Sequence, residues 1–196
     1  MTASFTRYCR SLKLLSAIMA LWLAAAVVAV HAQGIEVISA SFNAGDDYYV
    51  LEAQFDIALT HTLEEALNKG VSLYFLLEFE LIRPRWYWFN ERVIGFSQQH
   101  RLSYNALTRQ YRLGIGNLHQ SFSSLAEALE VMSRVSRRQD VEPGTIRRDN
   151  YTAGIRMRLD TSQLPKPFQL NALGSREWYI GSDWFRWPVT PRDVQQ

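Results

Sequence analysis

The residue types that do chemistry are sparse in this chain. Glu78 and Glu80 stand two apart, a spacing that puts both carboxylates on one face of a strand. Paired carboxylates can cleave glycosides when one of them stays protonated in a cleft. Here Arg83 and Arg85 follow closely, which favours ionised, paired groups. His61, His100 and His119 lie far apart, and no His-Glu-x-x-His occurs, so metal-ligand spacing is missing. There is no Gly-x-Ser-x-Gly elbow. Asp46 and Asp47 sit at an expected turn, where aspartates bond local backbone. Leu113-Gly-Ile-Gly116 lacks the rest of a dinucleotide or phosphate loop. The expectation is a protein that is not an enzyme and uses no cofactor or metal.

One stretch does look built for contact. "RPRWYWFNER", residues 83–92, holds three arginines and four aromatic rings. At period two, Trp86, Trp88, Asn90 and Arg92 share one face, and Arg85, Tyr87, Phe89 and Glu91 the other. Trp and Tyr bury a ring while keeping a polar edge. Two readings stand. In the first, this is a strand whose arginines meet Glu78 and Glu80 across a ladder and fix its register. In the second, it recognises a partner. The candidate interaction surface is Arg83, Arg85, Trp86, Trp88 and Arg92, with Arg109 and Tyr111 from the later "LTRQY" segment.

The elements that must position these residues are mostly strands. Residues 35–59 predict a hairpin turning at Asn43-Ala44-Gly45-Asp46, with Tyr49, Leu51, Ala53, Phe55, Ile57 and Leu59 on one buried face. Thr62 and Glu65 predict a short capped helix over 63–69, closed by Gly70. In "VSLYFLLEFELI", Val71 to Leu81 alternate with Tyr74, Leu76, Glu78 and Glu80, a half-buried antiparallel strand. Pro84 ends it, and residues 86–97 are expected to form the next strand. Residues 100–115 predict a second hairpin turning at 105–108. Ser124 and Glu127 predict a second capped helix with Leu125, Ala128, Leu129, Met132 and Val135 as its apolar stripe. Arg134, Arg137 and Arg138 fall near its C-terminal end, where the helix dipole favours them. Residues 139–150 read as a loop, and "TAGIRMRLD", "FQLNAL" and "WFRWPV" as strands. The fold expected is mainly β: an antiparallel β-sandwich or strongly curved sheet with two short inserted helices.

Residues 1–32 read as an export signal. Arg7, Arg10 and Lys13 precede Leu14–Val30, 17 residues without a charge, and Val30-His31-Ala32 offers a cleavage site. The alternative is an uncleaved inner-membrane anchor, although a helix of that length reaches only about 26 Å against a hydrocarbon core of about 30 Å. Membrane contact is expected only through residues 14–30. Cleavage would leave 18 basic against 19 acidic residues and no cysteine, because Cys9 lies in the signal. A near-neutral exported domain gives no support for nucleic-acid binding. Residues 33–189 are expected to form a single β-rich domain in the periplasm, followed by a flexible tail at 190–196.

"GVSLYFLLEFEL" running into "RPRWYWFNE", then "RLSYNALTRQYRL" and "WYIGSDWFRWPV", resembles a domain-of-unknown-function family of short exported proteobacterial proteins, DUF4390. The resemblance implies an exported domain without assigned activity, in a genomic setting beside an envelope sensor kinase. It supplies no catalytic residue. Two functions follow as expectations. One is a non-catalytic protein-interaction module of the cell envelope, with the sensor kinase as a partner. The other is a carrier or sensor of an apolar or amphipathic ligand such as a lipid, with Tyr87, Trp88, Trp178, Trp184 and Trp187 lining a pocket between sheet layers.

Overall fold

The computed structural model describes residues 34–44, 48–85, 87, 89–140, 146, 150–169 and 175–189. Expectations about the export segment, the turn at 45–47, Trp86, Trp88 and the tail fall outside them. Among the described residues nine strands run in chain order: β1 (Gly34–Ala44), β2 (Tyr49–Ala58), β3 (Leu73–Arg83), β4 (Glu91–Asn105), β5 (Gln110–Ile115), β6 (Leu118–Phe122), β7 (Arg134–Gln139), β8 (Tyr151–Leu159) and β9 (Phe185–Val189). Helix α1 (His61–Asn68) joins β2 to β3, and α2 (Leu125–Ser133) joins β6 to β7. The strands form two sheets, ordered β1-β2-β7 and β6-β5-β4-β3-β8-β9, with every neighbour antiparallel. This is the sandwich-like architecture expected, with the sheets open rather than closed into a barrel.

Alternation builds the core. Leu73, Phe75, Leu77, Phe79 and Leu81 of β3 are buried, as are Leu51, Ala53, Phe55 and Ile57 of β2. Phe42 of β1 meets Phe79 at 5.1 Å, and Phe79 meets Phe96 at 5.3 Å, so the rings stitch the two sheets together. Each such Leu or Phe stabilises the fold by about 1.5–3 kcal/mol relative to exposure. Gln98 of β4 accepts a hydrogen bond from Arg137 of β7 at 2.9 Å, while the Arg137 guanidinium covers the Phe96 ring at 4.0 Å. A polar residue thus crosses the layer without leaving its charge bare.

Edges are shaped too. The β1–β2 register shifts between Val37 and Ser39, a bulge that leaves Ile38 61% exposed. Edge strand β9 carries Pro188, which lacks an N–H to donate.

Local chemistry corrects several expectations. The N-cap of α1 is Thr60, not Thr62: its Oγ1 accepts from Leu63 N at 3.3 Å and donates to the Glu177 carbonyl at 2.8 Å. Thr62 donates instead to the Glu177 carboxylate, which docks the 176–178 turn on the helix start. Glu65 pairs with Lys69 at 3.0 Å rather than closing a capping box. Gly70 does end the helix, at φ +91°, with Gly70 N bonding Leu67 O and Val71 N bonding Ala66 O. That paired pattern is a Schellman motif.

The second helix keeps its cap, Ser124 accepting from Glu127 N at 3.2 Å, but the Glu127 carboxylate turns back to Ser123. The helix ends at Ser133, and Arg134, Arg137 and Arg138 belong to β7, because pairing with β2 overrides the helical spacing. Residues 86–97 do not form a strand of their own. Strand β4 begins at Glu91 and runs unbroken to Asn105, and residues 84–90 are its connection to β3. Phe168 and Gln169 of "FQLNAL" lie in a helical turn after Pro165, and the rest of that segment is outside the described residues. Strand β6 was not anticipated.

Candidate functional site

The outer face of the six-stranded sheet collects the charged side chains. Glu78 lies opposite Arg156 of β8, and Glu80 lies between Gly95 of β4 and Gly154 of β8. Those two glycines explain why Glu80 is only 7% exposed on a face turned away from the core. With no side chain beside it, long neighbours fold across: Arg92 over Gly95, and Trp184 with Arg186 over Gly154. Glu80 meets Arg186 at 3.1 Å and Arg92 at 3.5 Å. Glu78 accepts from Arg156 at 2.7 Å and Arg158 at 3.1 Å. Burial pushes the Glu78 carboxyl up, but the two arginine hydrogen bonds outweigh it and hold the group below its ordinary value. Trp184 lies beneath two guanidinium groups, Arg156 at 4.6 Å and Arg186 at 5.5 Å. Glu78, so paired, is a poor acid catalyst near neutrality, since it holds no proton to give.

The arginine-aromatic stretch divides by role. Arg83, at the end of β3, donates to Glu91 through Nε at 2.9 Å, and Arg85 pairs with the same carboxylate. Asn90 Oδ1 accepts from Arg85 N at 3.4 Å. The hydrogen bonds from Arg83 and Arg85 hold the Glu91 carboxyl below its ordinary value. These arginines close the base of the β3–β4 connection. At its tip Tyr87 is 68% exposed and Phe89 86% exposed. Trp86 and Trp88 lie outside the described residues.

The other members of the expected surface are elsewhere. Arg92 starts β4 and leans on Glu80. Arg109 sits in the β4–β5 turn at φ +53°, at the far end of a strand of 15 residues. At about 3.3 Å per residue that is some 45 Å away. Tyr111 is next to that turn, its hydroxyl donating to Asn68 Oδ1 at 2.9 Å and its ring 4.9 Å from Tyr104. Burial, then Tyr104 and Glu64, raise its pKa. Arg83, Arg85 and Arg92 therefore cluster at one end, and Arg109 and Tyr111 at the other. The rings expected to line a ligand pocket are dispersed. Trp178 packs on Phe168, Trp187 on Phe79, and Trp184 under arginines on the outer face.

A second feature lies further along the same outer face. Register aligns Tyr74, Arg101, Gly114 and His119 across β3, β4, β5 and β6, with Ser103 and Arg112 in the next row. Gly114 leaves a hollow, and the His119 ring lies close over it. A groove of about 180 Å³ is lined by Arg101, Ser103, Arg112, Gly114 and His119. It runs on into a wider one of about 480 Å³ that reaches Ser97 and Gln99. The sequence alone did not single these residues out, because four strands bring them together. The available signal was Gly114, a glycine at an outward position in an alternating strand, which marks close approach. His100 is buried beneath this region, only 3% exposed, with Nδ1 lacking a hydrogen-bond partner among the described residues. Burial lowers its pKa to about 4. Among the described residues no group of His, Cys, Asp and Glu is placed to hold a metal. No described helix is long and apolar enough to cross a membrane.

A family model described as a domain of unknown function (DUF4390) matches residues 32–188. No curated protein and no solved structure matches the chain.

Proposed function

The chain belongs to this family of unknown function, and from that premise we propose that it is an exported, non-catalytic protein-interaction module of the cell envelope. The observation that carries the reading is the β3–β4 connection, where two arginines are spent on Glu91 and the Phe89 ring is 86% exposed. An exposed aromatic tip on a pinned base loses little freedom when a partner covers it, which is how aromatic anchors gain affinity. The partner class is an envelope protein offering an apolar cleft, with the sensory region of an envelope kinase foremost. Export rests on the first 32 residues, whose basic start and apolar run suit a signal or an inner-membrane anchor.

A photo-crosslinking residue at position 89, in the intact envelope, should trap one protein reproducibly. The same residue at Leu107, which is 96% exposed in the β4–β5 turn, should not trap it. Equal capture from both sites, or lipid adducts alone from position 89, would remove the reading.

A further inference from the structure

The groove across β4, β5 and β6 is chemically one-sided. Arg101 and Arg112 form no ion pair among the described residues. Arg101 donates to the neutral Ser72 hydroxyl at 3.2 Å and lies 5.7 Å from the centre of the Tyr74 ring. The Arg112 guanidinium has no hydrogen-bond partner among the described residues, while its backbone carbonyl accepts from Ser103 Oγ at 3.5 Å. Both side chains belong to exposed residues on one face, in adjacent rows of neighbouring strands. Between them stands Gly114, and beside it the His119 imidazole. Among the described residues, no carboxylate lines either part of the groove.

Uncompensated guanidinium groups side by side repel one another, and an anion bound between them removes that cost. Arginine's planar fork suits oxyanions in particular, giving two parallel hydrogen bonds to one group. The Tyr74 hydroxyl and the Gln99 amide add neutral donors. The hollow holds about six waters' worth of space at roughly 30 Å³ each, enough for a tetrahedral oxyanion and part of what it is attached to.

We propose that Arg101, Arg112 and His119, around the hollow left by Gly114, form a binding site for a phosphate-type oxyanion. The wider part of the groove toward Ser97 and Gln99 takes the polar group that bears it. The same chemistry is offered by a free phosphate ester and by a phospholipid headgroup.

Titration calorimetry of the full chain with inorganic phosphate tests the site directly. Arg101→Gln with Arg112→Gln should weaken phosphate binding at least tenfold. Arg109→Gln, at the nearby turn, should leave it within twofold. Flotation with phosphatidylcholine vesicles, with and without phosphatidylglycerol, separates the sources. Loss of the anionic-lipid increment in the double variant assigns the site to a headgroup. An unchanged increment, with phosphate binding lost, assigns it to a soluble ester. If the double variant folds poorly, Arg112→Gln alone carries the test. Equal behaviour of wild type and Arg112→Gln in both assays, or equal weakening by Arg109→Gln, would overturn the site in favour of general surface charge.

Discussion

One outer sheet face carries two arginine clusters that differ in a single respect. Near β8 and β9, Arg156, Arg158, Arg186 and Arg92 surround Glu78 and Glu80. Across β4 and β5, Arg101 and Arg112 have no carboxylate among the described residues. Both clusters use an outward glycine: Gly154 makes room for Trp184 and Arg186, Gly114 for His119. Where carboxylates are present, the room is filled and the arginines hold the sheet together. Where they are absent, the His119 ring takes the room above Gly114 and a groove lies beside it. Counting arginines would not separate the two regions; counting counter-charges does.

The largest effect we expect concerns the core beneath the groove, which admits no charge. His100 is neutral in the folded chain because its pKa falls to about 4. The unfolded chain takes up that proton near pH 6.5, so stability falls as pH drops from about 6.5 to 4. The loss amounts to about 3 kcal/mol by pH 4. The urea midpoint of His100→Leu should lose this slope. The carboxylates held low by arginines act in a separate window, their contribution fading only below about pH 4.5. An unchanged slope in His100→Leu would mean that the imidazole is protonated in the fold.

Next is the paired cluster itself. Glu80→Gln removes the counter-charge of Arg186 and Arg92 and should cost about 2 kcal/mol, as charged hydrogen bonds do. Arg112→Gln should change stability by less than about 0.5 kcal/mol, because it breaks no pairing. Equal losses by thermal unfolding would erase the distinction between the regions. A smaller contrast is expected at the glycines. In Gly154→Ala the new Cβ would lie 3.2 Å from Trp184 Cε3 and 3.4 Å from Glu80 Cγ in a filled site, costing about 1 kcal/mol. In Gly114→Ala it would lie 2.7 Å from His119 Nδ1, on a ring that can swing into solvent, so the melting temperature should move less. The smallest effect is Lys69→Ala, which breaks an exposed i,i+4 pair with Glu65 and should leave the melting temperature nearly unchanged.

Strands β2, β3 and β8 were legible because one face is apolar at strict period two and the other polar. The caps of α2 and the glycine ending α1 were legible because few residues serve there. Misreadings share a cause: tertiary pairing overrode local pattern. Val135 continues the helical stripe of α2, yet β2 draws residues 134–139 into its sheet. "WYWFN" has strong strand propensity, but Pro84 and the reversal between antiparallel partners make it a connection. Strand β6 is only five residues long, apolar at its two ends, Leu118 and Phe122, and polar between them, so it offered little alternation to find. Of the candidate sites, the arginine-aromatic stretch was visible in the sequence, and the pairing of its arginines was anticipated in part: Arg92 reaches Glu80 across the ladder, but Arg83 and Arg85 do not reach Glu78 or Glu80. Glu91, only six residues from Arg85, takes both Arg83 and Arg85. The oxyanion groove was not visible, since its residues span β3 to β6 and meet only through register.

The bulge in β1 and the proline in β9 have a consequence for how copies of this protein behave when crowded. Every open sheet invites another copy to continue its ladder, the first step toward fibrils. Here one outer strand is kinked, another lacks a donor, β7 bristles with arginine and β6 is only five residues long. Self-templating is thereby blocked at each margin, so the molecule can accumulate to high local concentration and stay discrete.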